Sequence, residues 1–220
     1  MSSNKCYKAV FFDMDGVVVD SMPYHFISWF EVLRQYDVCI VPSLIFEMEG
    51  AKWDEVIKLA LKQSGMSLQS EIMNKVVHEK EKIFKKYFKR FIFTGVSEFI
   101  KSLKNQGILV GLVTGSGSME AKCILPGELY NLFDTVVAVD MVKKAKPNPE
   151  SYLTAAKNLN VLPEDCMVVE NAPYGVKAAK AAKMFCCAVA TSLSRENLVE
   201  ADEIFSNHQE LFNYFEQLEY

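Results

Sequence analysis

Two aspartates, Asp13 and Asp15, stand one residue apart directly after a short apolar run and just ahead of Gly16. If the backbone bends at the glycine, both carboxylates can point into one crevice. An Asp-x-Asp-Gly sequence is also typical of an ordinary polar turn. Its chemical meaning therefore depends on the residues at the ends of the other apolar runs of the chain.

Similar polar groups come after three later apolar runs. They comprise a hydroxyl-and-glycine loop whose backbone N–H groups could cradle a phosphate, a lysine ahead of two prolines, and a carboxylate next to an amide. Oxygen ligands of this kind suit Mg²⁺ and not zinc or copper. The set predicts a hard cation, a phosphate and a carboxylate nucleophile at one site. The residues are Thr114, Gly115, Ser116, Lys146, Glu170 and Asn171.

The runs that carry these groups are predicted to be strands of a parallel sheet that is buried on both faces. They are short, nearly continuous in apolar residues, and mostly stop at polar ones. Segments with helical periodicity alternate with them, at residues 96–106, 149–159 and 172–183. This alternation predicts an α/β fold with a doubly wound parallel sheet and right-handed crossovers. The predicted strands are residues 8–13, 108–114, 135–139, 166–170 and 185–189.

Residues 22–94 interrupt this alternation. They contain no convincing strand, and amphipathic helical segments are predicted instead around residues 24–36, 53–63 and 67–88. We therefore expect a core domain of residues 1–21 and 95–220 and a helical cap domain of residues 22–94. Ligands of open α/β sheets bind beyond the carboxyl ends of the strands, so an insertion after the first strand is placed to act as a lid.

The composition excludes several classes of function. The 220 residues are half apolar and carry 24 Lys+Arg against 28 Asp+Glu, for a net charge of −4. This mild acidic balance offers no extended positive field for nucleic acid. No apolar stretch approaches the length of a membrane span, and the N-terminus lacks the plan of a signal peptide. Six scattered cysteines without a Cys-x-x-Cys pair favour reduced thiols that fill core volume, hence a cytoplasmic protein with no membrane partner.

The ordered polar set resembles the four motifs of the haloacid dehalogenase superfamily, in the branch with an inserted helical cap. The resemblance spans nearly the whole chain. That branch includes β-phosphoglucomutase and many small-molecule phosphatases, and the motifs are also similar to a bacterial subgroup that contains an inorganic pyrophosphatase. The motifs are Asp13-Met-Asp15-Gly, Thr114-Gly-Ser, Lys146-Pro-Asn-Pro and Glu170-Asn-Ala-Pro.

The resemblance implies a role for each residue. Asp13 would attack phosphorus and form an aspartyl phosphate, and Asp15 would protonate the leaving group and then activate water. Thr114 and Lys146 would hold the phosphoryl oxygens. The implied Mg²⁺ ligands are Asp13, the backbone carbonyl of Asp15 and Asn171, with Glu170 close by.

Three further residues are candidates from the segment between the first two motifs. Many relatives carry Asp at the position of Asn171, so a carboxylate from the cap, Glu49, could restore the missing charge; the alternative is an exposed glutamate at a glycine turn. His25 could touch Asp15, or could be structural. Lys80 could reach a second phosphate, or could belong to the charged face of its helix together with neighbouring lysines.

These features predict a Mg²⁺-dependent phosphohydrolase that acts on a small phosphorylated metabolite or on pyrophosphate, and members of this branch are typically monomers. β-Phosphoglucomutase is one alternative, although Trp53 stands where we align the arginine that grips its second phosphate. A catalytically idle metabolite-binding module on the same fold is another. A dinucleotide-dependent dehydrogenase is disfavoured, because Glu120 replaces the third glycine or alanine of that fingerprint.

Overall fold

The computed structural model describes residues 7–67 and 69–218. Its strands are short and separated by helices. The six described strands are β1 (Ala9–Phe12), β2 (Leu109–Val113), β3 (Thr135–Val137), β4 (Cys166–Glu170), β5 (Phe185–Val189) and β6 (Glu203–Phe205). The ten described α-helices are α1 (Met22–Leu33), α2 (Pro42–Glu47), α3 (Trp53–Gln63), α4 (Ser70–Tyr87), α5 (Val96–Asn105), α6 (Ser118–Ile124), α7 (Gly127–Tyr130), α8 (Glu150–Asn158), α9 (Pro173–Ala181) and α10 (His208–Glu216).

All six strands pair in parallel, in the order β3-β2-β1-β4-β5-β6. The chain leaves β1 for β2 and β3 on one side and returns to β4, β5 and β6 on the other. This reversal next to β1 creates the crevice in which ligands of such sheets bind. The predicted α/β class with a doubly wound parallel sheet is confirmed.

The sheet is buried on both faces because its strands alternate between two apolar layers. Val10 and Phe12 of β1 pack with α5, α6, α7 and α10, whereas Ala9 and Phe11 pack with α8 and α9. Because both layers are apolar, apolar residues occupy successive positions of each strand and do not alternate with polar ones. This packing keeps the strand ends, and the polar groups just beyond them, in fixed positions.

The helices α1 to α4 surround an apolar cluster of their own, which includes Trp29, Leu33, Ile57 and Val76. Two linkers run between this helical segment and the sheet, and they pair with each other. Asp20 donates its N–H to the carbonyl of Phe91 at 2.9 Å, and Phe93 donates to the carbonyl of Val18 at 3.2 Å. The helical segment is thus attached to the sheet through two adjacent, hydrogen-bonded chains.

Several elements differ from the sequence-based prediction. The five predicted strands and six predicted helical segments are all present with shifts at their ends, whereas β6, α2, α6, α7 and α10 were not predicted. The five described cysteines are free, but Cys39 and Cys123 are exposed and do not fill core volume as expected. Cys6 lies outside the described residues. Within the described ranges, no helix is both long and apolar enough to cross a membrane.

Candidate active site

Asp13 is buried at the carboxyl end of β1. Its N–H donates to the carbonyl of Val169 at 3.0 Å, which extends the pairing of β1 with β4 by one residue and fixes the backbone. Its Oδ1 accepts from Lys146 Nζ at 2.5 Å, whereas its Oδ2 has no hydrogen-bond partner. Lys146 also donates to the carbonyl of Val113 at 3.2 Å. The aspartate is therefore held at Oδ1 by Lys146, with the Glu49 carboxyl as a further neighbour.

Glu170, at the end of β4, shares Lys146 with Asp13. Its Oε1 accepts from Lys146 Nζ at 2.7 Å and from the hydroxyl of Tyr152 at 2.6 Å, and its Oε2 accepts from the N–H of Asn171 at 3.0 Å. Both Glu170 oxygens are thus engaged in hydrogen bonds. The Lys146 ammonium also lies 5.1 Å from the centre of the Tyr152 ring.

The buried charges shift one another's ionisation. Burial and the nearby Glu170 raise the pKa of Asp13 to about 7, against the opposing effect of Lys146. For Lys146, burial acts to lower the pKa, but Asp13 and Glu170 outweigh it, so its pKa lies above its usual value. Lys146 is therefore a permanent cation between two carboxylates.

Asp15 lies beside Asp13 and is surrounded by donors. Its Oδ1 accepts from the hydroxyl of Ser21 and from His25 Nε2 at 3.1 Å, and its Oδ2 accepts from Ser116 Oγ at 3.2 Å and from Thr114 Oγ1 at 3.5 Å. Burial acts to raise the pKa of Asp15, but His25, Ser21 and Lys80 outweigh it and hold the pKa below its usual range. Asp15 is thus stabilised as a carboxylate.

Lys80 of α4 continues this network on the far side of His25. Its Nζ lies 3.0 Å from His25 Nδ1, and its charge lies over the rings of Phe84 at 5.0 Å and Trp29 at 5.7 Å. With Lys80 donating to Nδ1, the ring proton of His25 is on Nε2 and is donated to Asp15. Burial lowers the pKa of Lys80, although Glu120 and Asp15 oppose the shift.

Asn171 and Glu49 meet between the sheet and the helical segment. Asn171 Nδ2 donates to Glu49 Oε2 at 2.8 Å. Gly16 adopts a left-handed backbone with φ of +83°, and a Cβ at this position would lie 2.1 Å from Asn171 Nδ2. The glycine therefore permits both the bend after Asp15 and the approach of the Asn171 amide.

Three buried side-chain oxygens around this contact lack a hydrogen-bond partner: Asp13 Oδ2, Glu49 Oε1 and Asn171 Oδ1. Burial, together with Asp13, raises the pKa of Glu49 well above its usual value. Buried polar atoms without partners are rare in proteins and call for an explanation. Two carboxylate oxygens and one amide oxygen fit the ligand preference of Mg²⁺. Across the described residues, no cluster of three or more His, Cys, Asp or Glu side chains is arranged to hold a metal, so this set depends on the Asn171 amide.

A cavity of about 850 Å³ lies between the helical segment and the carboxyl ends of the strands, and two of the buried carboxylates, Asp15 and Glu49, line it. Asp15, His25, Glu49, Lys80 and Ser116 line its inner part. A second hollow of about 460 Å³ lies beside the loop that carries Pro147. The larger cavity is the one that reaches the buried carboxylates.

The structure brings all the sequence-predicted site residues to one region. The structure places all three candidates of the helical segment. His25 contacts Asp15, Glu49 contacts Asn171, and Lys80 is buried against His25 and not on the exposed charged face of its helix. Two residues were missed. Ser21 lies four residues before the candidate His25, at the start of α1. Tyr152 belongs to the apolar side of α8, and nothing in the sequence distinguishes it from a core residue.

Comparisons of this chain with a family model and with individual proteins agree with each other. A family model described as haloacid dehalogenase-like hydrolase matches residues 7–183. The chain is 29% identical over 188 residues to the β-phosphoglucomutase of Bacillus subtilis, with 83% of each chain covered. It is 33% identical over 177 residues to a phosphorylated carbohydrates phosphatase of Thermotoga maritima, covering 80% of this chain and 81% of the relative.

One solved structure is similar to this chain in both fold and sequence. It is a putative β-phosphoglucomutase from Bacteroides vulgatus, with a TM-score of 0.87 and 32% identity. The alignment covers 97% of this chain and 89% of the other.

Proposed function

The chain belongs to the haloacid dehalogenase-like hydrolases, and from that premise we propose that it is a Mg²⁺-dependent phosphohydrolase that works through an aspartyl phosphate on Asp13. Its substrate is a small phosphorylated metabolite or inorganic pyrophosphate. The observation that carries the proposal is the state of Asp13: buried at the end of β1, held at Oδ1 by Lys146 and without a partner at Oδ2.

In the first half of the reaction, a free oxygen of Asp13 attacks phosphorus while the bond from phosphorus to the leaving oxygen breaks. Asp15 gives a proton to that leaving oxygen. The pKa of Asp15 is low in the ligand-free arrangement, and an anionic phosphoryl group bound beside it raises that pKa toward the acid form. In the second half, Asp15 takes a proton from water, the water oxygen bonds to phosphorus, and Asp13 is released as a carboxylate.

The remaining groups position the phosphoryl oxygens. Thr114, Ser116 and the N–H groups of the loop at Gly115 surround the end of β2, and Lys146 supplies a fixed positive charge. Positioning and charge stabilisation account for most of the catalysis in phosphoryl transfer.

The metal is proposed to be Mg²⁺, held by Asp13, the backbone carbonyl of Asp15, Asn171 and Glu49. When bound there, it would supply positive charge that offsets the carboxylates and the phosphoryl oxygens. Glu170, whose oxygens already accept hydrogen bonds from Lys146, Tyr152 and Asn171, orients Lys146 close to this set.

The helical segment of residues 22–94 is proposed to act as a cap domain on a core of residues 1–21 and 95–220. It contributes Glu49, His25 and Lys80 to the site. A cap that supplies such groups completes the site only when it lies against the core, which excludes water from the reaction. We further propose a cytoplasmic monomer.

A second candidate function is phosphoryl transfer between sugar phosphates, favoured by the β-phosphoglucomutase relative at 29% identity. Trp53, in place of the expected arginine, offers no charge for a second phosphate. Conversion of β-glucose 1-phosphate to the 6-phosphate with a bisphosphate primer would support this candidate, and release of inorganic phosphate alone would exclude it.

The proposal is tested by phosphate release with Mg²⁺ from pyrophosphate, hexose phosphates, nucleotides and β-glucose 1-phosphate. We expect at least one substrate to be hydrolysed, with the rate lost on chelation of the metal and in Asp13→Asn. Asp54→Asn, on the exposed side of α3, is the matched control and should retain activity. Full activity of Asp13→Asn would refute the mechanism. Absence of turnover together with measurable Mg²⁺ or metabolite binding would support the idle module.

A further inference from the structure

The cavity in front of Asp15 must hold the leaving group of the substrate. From its size and lining we propose that the substrate is a monophosphate ester whose leaving group is an apolar or aromatic alcohol. This inference rests on the proposed phosphohydrolase function and narrows its substrate from phosphorylated metabolites or pyrophosphate to organic esters.

The size of the cavity is the first argument. Its volume of about 850 Å³ lies within the range of pockets that bury organic ligands, roughly 300–1,000 Å³. Two phosphoryl groups would fill only the inner part, next to Asp15 and Ser116. The outer part therefore has room for an organic group.

The chemistry of the outer wall is the second argument. Most of it consists of apolar and aromatic side chains from the helical segment, among them Trp29, Ile45, Met48, Val56, Phe84 and Phe88. Within the described lining, no side chain is Thr, Asn, Gln or Tyr, and Ser116 donates its hydroxyl to Asp15. A polyhydroxylated leaving group would find few neutral partners on this wall, whereas an apolar group would be transferred out of water.

Two exposed side chains at the cavity are the third argument. Trp53, at the start of α3, is 39% exposed, and Met119, on α6, is 73% exposed. One comes from the helical segment and the other from the sheet domain, and both line the same cavity. An apolar ligand in this cavity could cover both side chains and remove them from water.

The charges of the wall argue against a second phosphate. Lys80 is paired with His25, and the other two lysines of the lining, Lys52 and Lys85, are matched by two carboxylates, Glu81 and Glu120. Because these charges cancel, a distal phosphate would gain no net attraction from the wall, so a single phosphoryl group at the Asp15 end is the arrangement that the wall favours.

The test compares kcat/KM, with Mg²⁺, for 2-phenylethyl phosphate, glycerol 3-phosphate, glucose 6-phosphate and pyrophosphate. The three esters share a primary alkyl leaving oxygen, so their intrinsic reactivity is similar. Burial of the phenyl group should raise kcat/KM for the phenylethyl ester above that for glycerol 3-phosphate by about 10-fold to 100-fold. A higher or equal value for glycerol 3-phosphate, glucose 6-phosphate or pyrophosphate would overturn the inference.

Two variants test whether the preference for the phenylethyl ester depends on the apolar wall of the cavity. Trp53→Ser should lower the ratio between phenylethyl and glycerol esters several-fold, whereas Val199→Ser, an exposed apolar residue that does not line the cavity, should leave it unchanged. Because a ratio is measured, loss of folded protein does not alter it. An unchanged ratio in Trp53→Ser would contradict the assignment.

Failure of this inference and failure of the proposed function give different experimental results. If Asp13→Asn is inactive and a hydrophilic substrate is preferred, only this inference fails. If none of the four compounds is hydrolysed but a nucleotide or β-glucose 1-phosphate is, again only this inference fails. If Asp13→Asn matches the wild-type protein, or if no compound of either panel is hydrolysed, the proposed function fails and this inference with it.

Discussion

Asp13, Lys146 and Glu170 form a buried group of two carboxylates around one ammonium. Each charge is costly to bury alone, and the group is stable because the three satisfy one another through short hydrogen bonds. The acidic groups outnumber the ammonium by one, and the unpartnered oxygens of Glu49 and Asn171 lie close by. This local excess is what suits the region to a cation.

The chemical residues were predictable because they lie at strand ends, and the carboxyl ends of parallel strands meet at one edge. Asp13, Thr114 and Glu170 could be placed by that rule alone. Tyr152 could not be placed in this way. Its hydroxyl reaches Glu170 only because α8 packs against the sheet, and the apolar pattern of a helix does not indicate such a contact.

Tyr152→Phe tests this contact. The substitution keeps the ring beside Lys146 and removes the hydroxyl that donates to the buried Glu170 carboxylate. Loss of a hydrogen bond to a buried charge should lower the free energy of unfolding by about 1.5–3 kcal/mol, measured by urea denaturation. Tyr87→Phe, at the partly exposed end of α4, should change it by less than about 0.5 kcal/mol. Equal stability of Tyr152→Phe and wild type would contradict the role.

Lys80→Met tests the network from Lys80 through His25 to Asp15. Without the ammonium, His25 loses the donor that sets its tautomer, so Asp15 is less well oriented. We expect kcat to fall about 10-fold or more, part of the 10²–10⁴ that general acid–base catalysis contributes. Lys82→Met, on the exposed face of the same helix, should have no effect on kcat. Equal rates in the two variants would show that Lys80 has no such role.

At the scale of elements, burial determined which parts could be predicted. The strands β1, β2, β4 and β5 are apolar on both faces and were evident as continuous runs. The strand β6 is three residues long and pairs only with β5, at the edge of the sheet, so its sequence carries little apolar signal. The helix α10 begins after Asn207, whose side chain accepts from the N–H of Glu210, but this cap was not recognised.

His208, the first residue of α10, links that helix to the loop after β1. Its Nε2 donates to the carbonyl of Val17 at 2.7 Å, and its ring stacks on Phe93 with centroids 4.3 Å apart. Burial lowers the pKa of His208 below its usual value, although the Val17 carbonyl opposes the shift. The folded protein therefore favours the neutral imidazole.

This predicts a pH dependence of stability. As the pH falls, His208 is protonated near pH 6.5 in the unfolded chain but only at a lower pH in the folded protein. Its contribution to the free energy of unfolding is therefore present above about pH 6.5 and is lost as the pH falls below that value. Urea denaturation at pH 7.5 and 5.5 should show a loss on acidification that is smaller in His208→Gln. His78→Gln, on α4, is the control. An identical pH dependence in His208→Gln and wild type would contradict the expectation.

At the scale of the whole molecule, the helical segment and the sheet domain meet at the site itself. Glu49 contacts Asn171, and Gly50 lies against Gly115 so closely that a Cβ on Gly115 would be 2.5 Å from the Gly50 Cα. The net charge of −4 provides no general attraction for an anionic substrate. Attraction must therefore come from this junction, through Lys146, backbone N–H groups and the proposed metal.

Gly115→Ala tests the importance of the close approach. The added methyl group would push the helical segment away from the sheet, since backbone atoms cannot move aside as a flexible side chain can. We expect kcat/KM to fall about 10-fold or more, because misplacement by 1 Å can cost about 100-fold. Gly117→Ala, where a Cβ would meet nothing within 4 Å, is the matched control. Equal kcat/KM in the two variants would show that the contact is not needed.

Trapping the aspartyl phosphate during turnover tests the proposed role of Asp13 directly. Rapid quenching with borohydride reduces an acyl phosphate to an alcohol, which converts the modified aspartate to homoserine and is located by peptide mass spectrometry. We expect homoserine at residue 13 when a hydrolysed substrate and Mg²⁺ are present, and none without substrate. Turnover without conversion at residue 13, or with conversion at Asp15 instead, would contradict the proposed aspartyl-phosphate mechanism.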